Sequence, residues 1–391
     1  MVESVRRLRR RMVGRDPDEE HRASTPLELL FDLCFVVAVA SAAAGLHHAL
    51  AEGHVSEGLI GFGTAFFAIW WAWVNFTWFA SAYDTDDVYY RLLTLVQIAG
   101  VLVLAAGIPG LFQFRSLTVP TIGYLIMRIG LILQWLRAAR EHEEGRPAAI
   151  RYAAGLAVVQ VGWLLRLALP GGWGWAGYGV MLLADITVPI WAETRGTRTT
   201  WHPGHIAERY GLFTLIVLGE CVLGATAAVQ AAISDAGLSV SLMVIAGSGL
   251  VLLFAMWWSY FKRDAAPRLR EDSLKATMTW AYSHYGVFGA VAALGAGIEI
   301  VVDTATHHSH VSETAAALCV AVPVSVYLLI VGVQHKHLNP TEPFQQRYVV
   351  LTAVLVLLST LLPLTAAMVA MALVTSALVA YGVAVGEKAP A

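Results

Sequence analysis

Residues 348–385 read YVVLTAVLVLLSTLLPLTAAMVAMALVTSALVAYGVAV and contain no Asp, Glu, Lys or Arg. A helix needs about 20 apolar residues to cross the ~30 Å hydrocarbon core of a bilayer, so this stretch is about twice as long as one span. Proline interrupts a helix because it has no amide hydrogen and clashes with the preceding turn. Pro363 therefore predicts a turn between two membrane-spanning helices.

Apolar runs of similar length recur along almost the whole chain of 391 residues, of which 57% are hydrophobic and only 14% are charged. Soluble domains carry roughly 25% charged residues. The pattern predicts an all-α integral membrane protein without a second, soluble domain. We expect about twelve transmembrane helices, at residues 26–50, 58–81, 89–110, 119–140, 150–169, 173–192, 205–231, 238–261, 274–300, 313–334, 345–363 and 365–386.

The positions of lysine and arginine indicate the topology, because cytoplasmic loops collect these residues. If the N-terminus lies inside, Arg115 is the one basic residue in an outer loop, and Arg128 and Arg166 fall within spans. The other 23 of the 26 lie in or beside inner segments. We therefore expect a multi-pass protein of the bacterial inner membrane with both termini in the cytoplasm. The basic arm at residues 1–25 favours contact with anionic lipids and not with nucleic acid.

Short matches at a near-constant offset indicate an internal duplication. FAIWW at residues 67–71 matches FAMWW at 254–258 with an offset of 187, and Gly100-Val101 matches Gly286-Val287 with an offset of 186. We predict two parallel six-helix repeats, a geometry typical of transporters. Their bounds are 26–192 and 205–386, with a cytoplasmic linker at 193–204 and a cytoplasmic tail at 387–391.

Several motifs follow one another along nearly the full chain. They are ELLFDLCFV at residues 28–36, HIAERYGLF at 205–213, Gly219-Glu220, Trp257-Trp258 and His284-Tyr285, with Gly295 and Glu299 beyond. In this combination the chain resembles the bacterial low temperature requirement A (LtrA) family. The resemblance implies an integral membrane protein and brings no defined biochemical activity with it.

Two glutamates stand at the starts of predicted spans. Glu28 follows Thr25 and Pro26 in a capping-box pattern, in which the glutamate reaches back to the first amide of the helix. Glu208 occupies the equivalent position after His205. Both are candidates for helix caps, and both are alternatively candidates for a gate.

Ionisable residues deeper in the spans are costly and usually face a bundle interior or a water path. Asp32 lies one helical turn beyond Glu28, and Arg209 is its natural partner if the first and seventh spans are neighbours. This pair fits a structural salt bridge as well as a cytoplasmic gate. Asp185 and Arg128 are further candidates for a pathway, unless each simply neutralises a partner.

Glu220 is the main candidate for a proton carrier, because it lies among apolar residues about 16 Å along the helix from Arg209. The alternative is a neutral or paired glutamate that bonds between helices. His284, beside Tyr282 and Tyr285, either relays protons or packs in the core. His307, His308 and His310 form a weak candidate metal site in a loop whose spacing fits no regular helix.

No nucleotide-binding, hydrolase or zinc-protease motif occurs in a supporting context, so we expect no cofactor. We predict a secondary transporter or permease for an unknown small solute, with proton coupling as an option. Two alternatives stay open. One is a membrane-embedded enzyme acting on a lipid or isoprenoid, and the other is a non-catalytic membrane component of stress or low-temperature adaptation.

Overall fold

The computed structural model describes residues 9–20, 22–114, 116–338 and 346–386. Every regular element in these residues is helical. In chain order the helices are α1 (Pro26–Ala51), α2 (Val55–Tyr83), α3 (Val88–Phe114), α4 (Thr118–Glu141), α5 (Arg146–Arg166), α6 (Gly172–Thr194), α7 (Pro203–Ala236), α8 (Val240–Phe261), α9 (Ala266–Glu271), α10 (Leu274–Ala305), α11 (Glu313–Leu338), α12 (Gln346–Leu358) and α13 (Leu364–Gly386). Arg115 and the tail predicted at 387–391 lie outside the described residues.

Eleven helices in the described part of the chain are long and apolar enough to cross a membrane. The twelfth apolar helix, α12, continues into a 3₁₀ turn and covers Gln346–Leu361. At about 1.5 Å per residue it is about 24 Å long, shorter than the ~30 Å hydrocarbon core. Pro363 separates it from α13 as predicted. The predicted all-helical, multi-pass fold class is confirmed, and α9 is a short additional helix that the span pattern did not include.

The chain forms two compact units, each assembled from separate stretches of sequence. The first takes residues up to Ser41 together with Phe67–Arg209, and the second takes Ala42–Phe66 together with the residues from Tyr210 onward. The boundaries fall within α1, α2 and α7. These units do not coincide with the predicted halves at 26–192 and 205–386, and the repeat of six helices stays a prediction.

The matched tryptophan pairs occupy different environments within their units. Trp70 and Trp71 are buried in the first unit, at 3% and 0% exposure. In the second unit Trp257 and Trp258 are 43% and 48% exposed. The first pair is thus packed among other side chains, whereas the second pair is largely exposed.

In the first unit, helices α3 to α6 pack in chain order, each against the next. The contact of α3 with α4 depends on glycine. A Cβ atom added at Gly100 would lie 2.7 Å from the carbonyl oxygen of Gly123 and 2.8 Å from the amide nitrogen of Met127. Helices whose backbones approach this closely have no room for a side chain between them.

Part of the basic arm is anchored to the first unit through its backbone. The amide of Arg10 donates to Asp87 at 2.9 Å, and the amide of Met12 donates to Glu141 at 2.7 Å. Arg137 joins the two acceptors, since its guanidinium lies 2.6 Å from Asp87 and 3.3 Å from Glu141. These contacts fix the course of the arm, whereas its predicted contact with anionic lipids stays a prediction.

In the second unit α10 packs against α11, α8 packs against α13, and α12 lies beside both α11 and α13. The close contact of α10 with α11 again uses glycine, because a Cβ added at Gly297 would overlap the carbonyl group of Cys319. Residues 42–66 join this unit, and the hydroxyl of Tyr285 donates to the carbonyl oxygen of Gly63 at 3.0 Å.

Candidate functional site

Four ionisable side chains meet in the first unit, near the N-terminal ends of α1 and α7. Arg209 reaches two carboxylates, with Nη1 2.9 Å from Glu28 Oε1 and Nη2 2.5 Å from Asp32 Oδ1. His205 Nε2 lies 3.1 Å from the same oxygen of Glu28. All four side chains are 0% exposed. We call Glu28, Asp32, His205 and Arg209 the Arg209 cluster.

Helical spacing explains how the sequence builds this cluster. Glu28 and Asp32 are four residues apart on α1, and His205 and Arg209 are four residues apart on α7. Residues four apart share one face of a helix, so each helix presents two of its ionisable side chains together. The structure thus brings Asp32 to Arg209, the partner that the sequence suggested.

The start of α1 fixes the position of Glu28. The amide of Thr25 donates to Glu28 Oε2 at 2.8 Å, and the amide of Glu28 donates to Thr25 Oγ1 at 3.3 Å. This is the reciprocal exchange of a capping box. One carboxylate oxygen of Glu28 therefore accepts from the amide of Thr25 at the start of α1, and the other oxygen pairs with Arg209.

The start of α7 differs from the sequence expectation. The helix begins at Pro203, and Nδ1 of His202 accepts from the amide of His205 at 3.0 Å. The cap expected at His205 thus lies three residues earlier. Glu208 does not reach back to the start of its own helix, because its carboxylate accepts from the amide of Ser24 at 3.1 Å.

Two further side chains contact the Arg209 cluster, yet it is not fully hydrogen-bonded. The indole Nε1 of Trp73 donates to Asp32 Oδ1 at 2.7 Å, and Thr77 Oγ1 lies 3.5 Å from Arg209. Oδ2 of Asp32 and Nδ1 of His205 are buried and have no hydrogen bond to any described residue. An unsatisfied buried polar atom costs about 1–3 kcal/mol, so these two atoms reduce the net stabilisation that the cluster provides.

The charges of the cluster do not balance. With both carboxylates ionised and His205 neutral, one guanidinium faces two negative charges. Arg22 and Asp84 lie within electrostatic range of Glu28, but their charges are opposite and cancel. A net buried charge costs several kcal/mol. One bound proton, shared between the imidazole and the two carboxyl groups, removes it.

Asp84 follows α2 directly, and its side chain is almost buried. Burial, followed by the negative charge of Glu28, raises the pKa of Asp84 to about 6. Burial also lowers the pKa of Arg22, whose guanidinium donates to the carbonyl oxygens of Ser81 and Ala80. Asp84 therefore gains and loses a proton close to physiological pH.

Arg128 and Asp185 form a separate buried cluster in the first unit. Arg128 Nη2 lies 3.0 Å from Asp185 Oδ1, and Oδ2 accepts from the Tyr124 hydroxyl at 2.8 Å and from the Trp163 indole at 3.0 Å. Both carboxylate oxygens are thus satisfied, although Nη1 of Arg128 has no hydrogen bond among the described residues. One positive charge faces one negative charge. This arrangement suits a structural ion pair.

Glu220 lies in the second unit and is half-buried, not enclosed by apolar side chains as we expected. It makes no hydrogen bond or ion pair with a described residue, but Glu299 is within electrostatic range. A Cβ added at Gly224, one turn further along α7, would lie 2.5 Å from Glu299 Oε1. His47 links Glu299, at 3.6 Å, to Asp303, at 2.8 Å. Glu220 therefore stands beside a partly exposed acidic group.

His284 is fully buried, and both of its ring nitrogens are occupied. Nε2 lies 3.0 Å from the hydroxyl of Tyr260, and Nδ1 lies 2.8 Å from the carbonyl oxygen of Trp280. The carbonyl can only accept, so Nδ1 carries the hydrogen and Nε2 accepts from the tyrosine. The hydroxyl of Tyr285, a predicted neighbour, bonds to Gly63 instead. These contacts favour packing over a proton relay.

The histidine loop contains no evident metal site. His308 lies 3.0 Å from the hydroxyl of Thr306 and 3.9 Å from Asp235. Within the described residues, no group of three or more His, Cys, Asp or Glu side chains is arranged to hold a metal ion. His307 and His310 thus add no ligand set to the one weak contact of His308.

Sequence reasoning missed Trp73, Asp84 and His47. Trp73 stands in an aromatic run in which no local pattern distinguishes one indole from the next. Its spacing of four residues from Thr77 places both side chains on one helix face, but Trp71 has the same spacing from Asn75, so this spacing did not single out Trp73. His47 was a titratable residue near the end of a span and carried a comparable signal.

Comparison of the sequence with known proteins places the chain in a family. The sequence model for the bacterial low temperature requirement A protein (LtrA) matches residues 23–384, nearly the whole chain. The chain belongs to the LtrA family. An uncharacterized protein of Rhizobium meliloti (strain 1021) is similar to it, with 28% identity over 301 residues that cover 70% of this chain and 68% of the relative. All four members of the Arg209 cluster lie within the region that matches the LtrA family.

Proposed function

We propose that this LtrA-family protein is a proton-coupled secondary transporter for a small solute, and that the Arg209 cluster holds the coupling proton. The charge imbalance of the cluster carries the proposal. Two carboxylates and an imidazole surround one guanidinium, and all are 0% exposed. When a proton binds, Arg209 no longer attracts two anions. The ion pairs can then rearrange, as a gate requires.

The buried pair of Arg128 and Asp185, which we call the Arg128 cluster, provides an internal comparison. It has the same kinds of residue at similar burial, but its single carboxylate is matched by a single guanidinium. Both oxygens of Asp185 are bonded, whereas Oδ2 of Asp32 is not. A buried pair that only stabilises the fold needs no exchangeable proton. The contrast supports a role for the Arg209 cluster beyond stability.

Asp84 is our candidate for exchange of the proton with water. It lies outside the helices, it interacts electrostatically with Glu28, and its pKa is about 6. A carboxyl group with this pKa changes protonation state over the range of pH that a membrane gradient spans. We propose that the proton passes from Asp84 to Glu28.

We also propose the inner membrane of a bacterium as the location, with both termini in the cytoplasm. The excess of lysine and arginine in the predicted inner segments supports this orientation. It would place the starts of α1 and α7, and with them the Arg209 cluster, towards the cytoplasm. The exposed side chain of Arg9 would then meet anionic headgroups.

The test uses purified protein in proteoliposomes that contain a pH-sensitive dye. A panel of labelled amino acids, sugars, organic anions and organic cations is applied with and without a pH gradient. We expect at least one solute to move protons with it. Asp32→Asn should abolish the pH dependence while the protein stays folded, because the amide oxygen still accepts from Trp73 and Arg209.

Glu208→Gln is the matched control, since this acid lies on α7 but contacts only the amide of Ser24 among the bonds described above. It should behave as the wild type. The proposal fails if no solute in the panel moves protons, or if Asp32→Asn keeps the wild-type pH dependence. A lipid-directed enzyme would need His284 beside carboxylates, and its nitrogens contact Tyr260, the carbonyl of Trp280 and Gln334 instead.

A further inference from the structure

Tyr90 is a buried titratable residue in the first unit, on the first turn of α3, and its side chain is 0% exposed. Its amide donates to Asp87 Oδ1 at 2.9 Å, and its carbonyl oxygen accepts from the hydroxyl of Thr94 at 2.9 Å. The hydroxyl of Tyr90, in contrast, is buried and has no hydrogen bond to any described residue. The backbone of Tyr90 is therefore fixed, while its hydroxyl is left without a partner.

The ring of Tyr90 lies beside the last turns of α2. Its centroid is 6.4 Å from that of Phe79, and the two rings are close to parallel, at 17°. Thr77, two residues before Phe79, contacts Arg209, and Asp84 lies five residues after Phe79. Tyr90 thus flanks the stretch of α2 that separates the Arg209 cluster from Asp84.

This stretch is too long for a proton to cross in one step. Helical geometry extends to Asp84, because its amide donates to the carbonyl oxygen of Ala80 at 3.1 Å. Asp84 follows Thr77 by seven residues, which at 1.5 Å per residue places their backbones about 10 Å apart along the helix. Proton transfer needs a hydrogen bond of about 3 Å. A proton on its way from Asp84 to Glu28 therefore needs a carrier.

The charged groups around the hydroxyl of Tyr90 come from both ends of this stretch. Among them Asp84 has the strongest electrostatic effect on Tyr90, and Glu28 has the next strongest. The guanidinium groups of Arg22 and Arg209 act with the opposite sign. Tyr90 is thus within electrostatic range of the carboxyl group that we expect to exchange with water and of a carboxylate of the Arg209 cluster.

A purely structural role does not account for this hydroxyl. A buried polar atom without a partner lowers stability, and phenylalanine would pack against Phe79 without that cost. A phenol can donate its own proton to one neighbour while its oxygen accepts a proton from another. A hydroxyl that is not held by a fixed hydrogen bond can rotate between the two. Tyr90 therefore has the chemistry and the place of a proton carrier.

We propose that Tyr90 relays the coupling proton between Asp84 and Glu28. The O–H bond of the Asp84 carboxyl group breaks as its proton moves to the phenol oxygen, and the phenol proton passes to Glu28. Asp84 becomes a carboxylate, Glu28 becomes a carboxylic acid, and Tyr90 is regenerated as a phenol. The same steps in reverse release the proton. This inference rests on the proposed function, because the Arg209 cluster must hold the proton that is relayed.

The test follows hydrogen–deuterium exchange by infrared spectroscopy, with the full-length protein in detergent and no solute present. Asp32→Asn balances the charges of the cluster, so infrared bands that the wild type shows and Asp32→Asn lacks belong to the shared proton. The rate at which these bands shift in heavy water measures how fast that proton exchanges. A positioned proton carrier contributes about 10²–10⁴-fold. We therefore expect Tyr90→Phe to slow the exchange by about 100-fold or more.

The pH profile of the exchange rate separates a relay from a structural role. If Asp84 supplies the proton, the wild-type rate should rise as the pH falls through 6, the pKa of Asp84, and level off below it. Tyr90→Phe and Asp84→Asn should both lose this dependence. The bands of the shared proton should keep their position and intensity in Tyr90→Phe, because the cluster still holds its proton.

Tyr83→Phe is the matched control. Tyr83 belongs to the same unit and is 1% exposed, but its hydroxyl lies 3.2 Å from Nδ1 of His142. This variant should exchange the cluster proton as the wild type does. Exchange of the backbone amides is read from the same spectra. Faster amide exchange in Tyr90→Phe would hasten the exchange of the cluster proton, so an opened fold cannot imitate the expected slowing.

Exchange at the wild-type rate in Tyr90→Phe would overturn the relay and leave the Arg209 cluster as the holder of the proton. Equal slowing in Tyr83→Phe would also overturn it, because the effect would then follow from the loss of any buried hydroxyl. If the wild type and Asp32→Asn show the same bands, the cluster holds no shared proton, and the proposed function fails together with the relay.

Discussion

Replacing Arg209 with glutamine removes the one cation that faces both Glu28 and Asp32. Its nitrogens lie 2.9 Å and 2.5 Å from the two carboxylates, which are 0% exposed. Glutamine supplies neither the positive charge nor the planar guanidinium whose two terminal nitrogens reach both acids. We expect a large loss of stability, because two buried carboxylates are left without a counter-ion.

The magnitude follows from how the cluster can neutralise itself. Asp32 would have to be protonated, and holding an ordinary aspartate protonated at pH 7 costs about 4 kcal/mol. The wild-type cluster already holds one proton, and with this proton on His205 the imidazolium pairs with Glu28, so it adds no further cost in the variant. The expected loss is therefore about 4 kcal/mol, within the 3–5 kcal/mol typical of broken buried pairs.

The assay is equilibrium unfolding of the purified protein in mild detergent, with helicity as the signal. Arg91→Gln is the matched control, because Arg91 pairs with Asp86 at 2.7 Å but the two side chains are 58% and 43% exposed. This control should cost less than about 1 kcal/mol. The triple variant Glu28→Gln, Asp32→Asn, Arg209→Gln should recover most of the loss, since it leaves no buried charge.

Arg209→Lys tests whether geometry matters beyond charge. A lysine ammonium is a single point and cannot serve two acids as the guanidinium does, so we expect only partial recovery. If Arg209→Gln unfolds at the same denaturant concentration as Arg91→Gln, the buried ion cluster is not what stabilises these helix ends. A triple variant less stable than Arg209→Gln alone would show that the loss comes from packing and not from unpaired charge.

Three further outcomes are expected. Asp84→Asn should stabilise the protein by about 3 kcal/mol above pH 6, because a pKa raised from its usual value near 3.9 to about 6 makes the ionised carboxylate unfavourable in the folded protein. In unfolding measured as a function of pH, this gain should decrease as the pH falls through 6 and vanish near pH 4. Gly100→Ala should cost about 1–3 kcal/mol in the same assay because its Cβ would meet the backbone of α4, whereas Gly110→Ala on α3 has open space and should be neutral or slightly stabilising. Asp185→Asn should cost about 3–5 kcal/mol by leaving Arg128 buried without a counter-ion, whereas Asp32→Asn should be near neutral at pH 7 because it makes the Arg209 cluster electrically balanced.

The fold class could be read from the sequence because lipid leaves the backbone few choices. A segment in hydrocarbon must satisfy its own amide and carbonyl groups, so an apolar run of the right length forms a helix. Pro363 marked the break between the last two helices for the same local reason. The pairing of Asp32 with Arg209 was also predictable, since two ionisable residues at the starts of two spans have few other partners.

The surroundings of Glu220 and the contact of Trp73 with Asp32 could not be predicted in the same way. Which side chains meet across helices depends on how far each helix is rotated and shifted, and no local pattern encodes that. The sequence showed Glu220 between apolar neighbours, but Glu299 comes from a helix many residues away. Trp73 likewise reaches Asp32 from α2, and sequence alone did not distinguish it from Trp70 or Trp71.

The Arg128 and Arg209 clusters show why residue types alone do not identify a functional site. Each has an arginine and an aspartate buried in a membrane helix, so the sequence offers the same reading of both. The difference lies in the third and fourth groups: Tyr124 and Trp163 donate neutral hydrogen bonds to Asp185, whereas Glu28 and His205 bring a second negative charge and a titratable ring to Arg209. Neutral donors complete an ion pair and hold it in one state. With an added acid and an imidazole, the Arg209 cluster needs one further proton to be electrically neutral. Its charge distribution therefore depends on which group holds that proton.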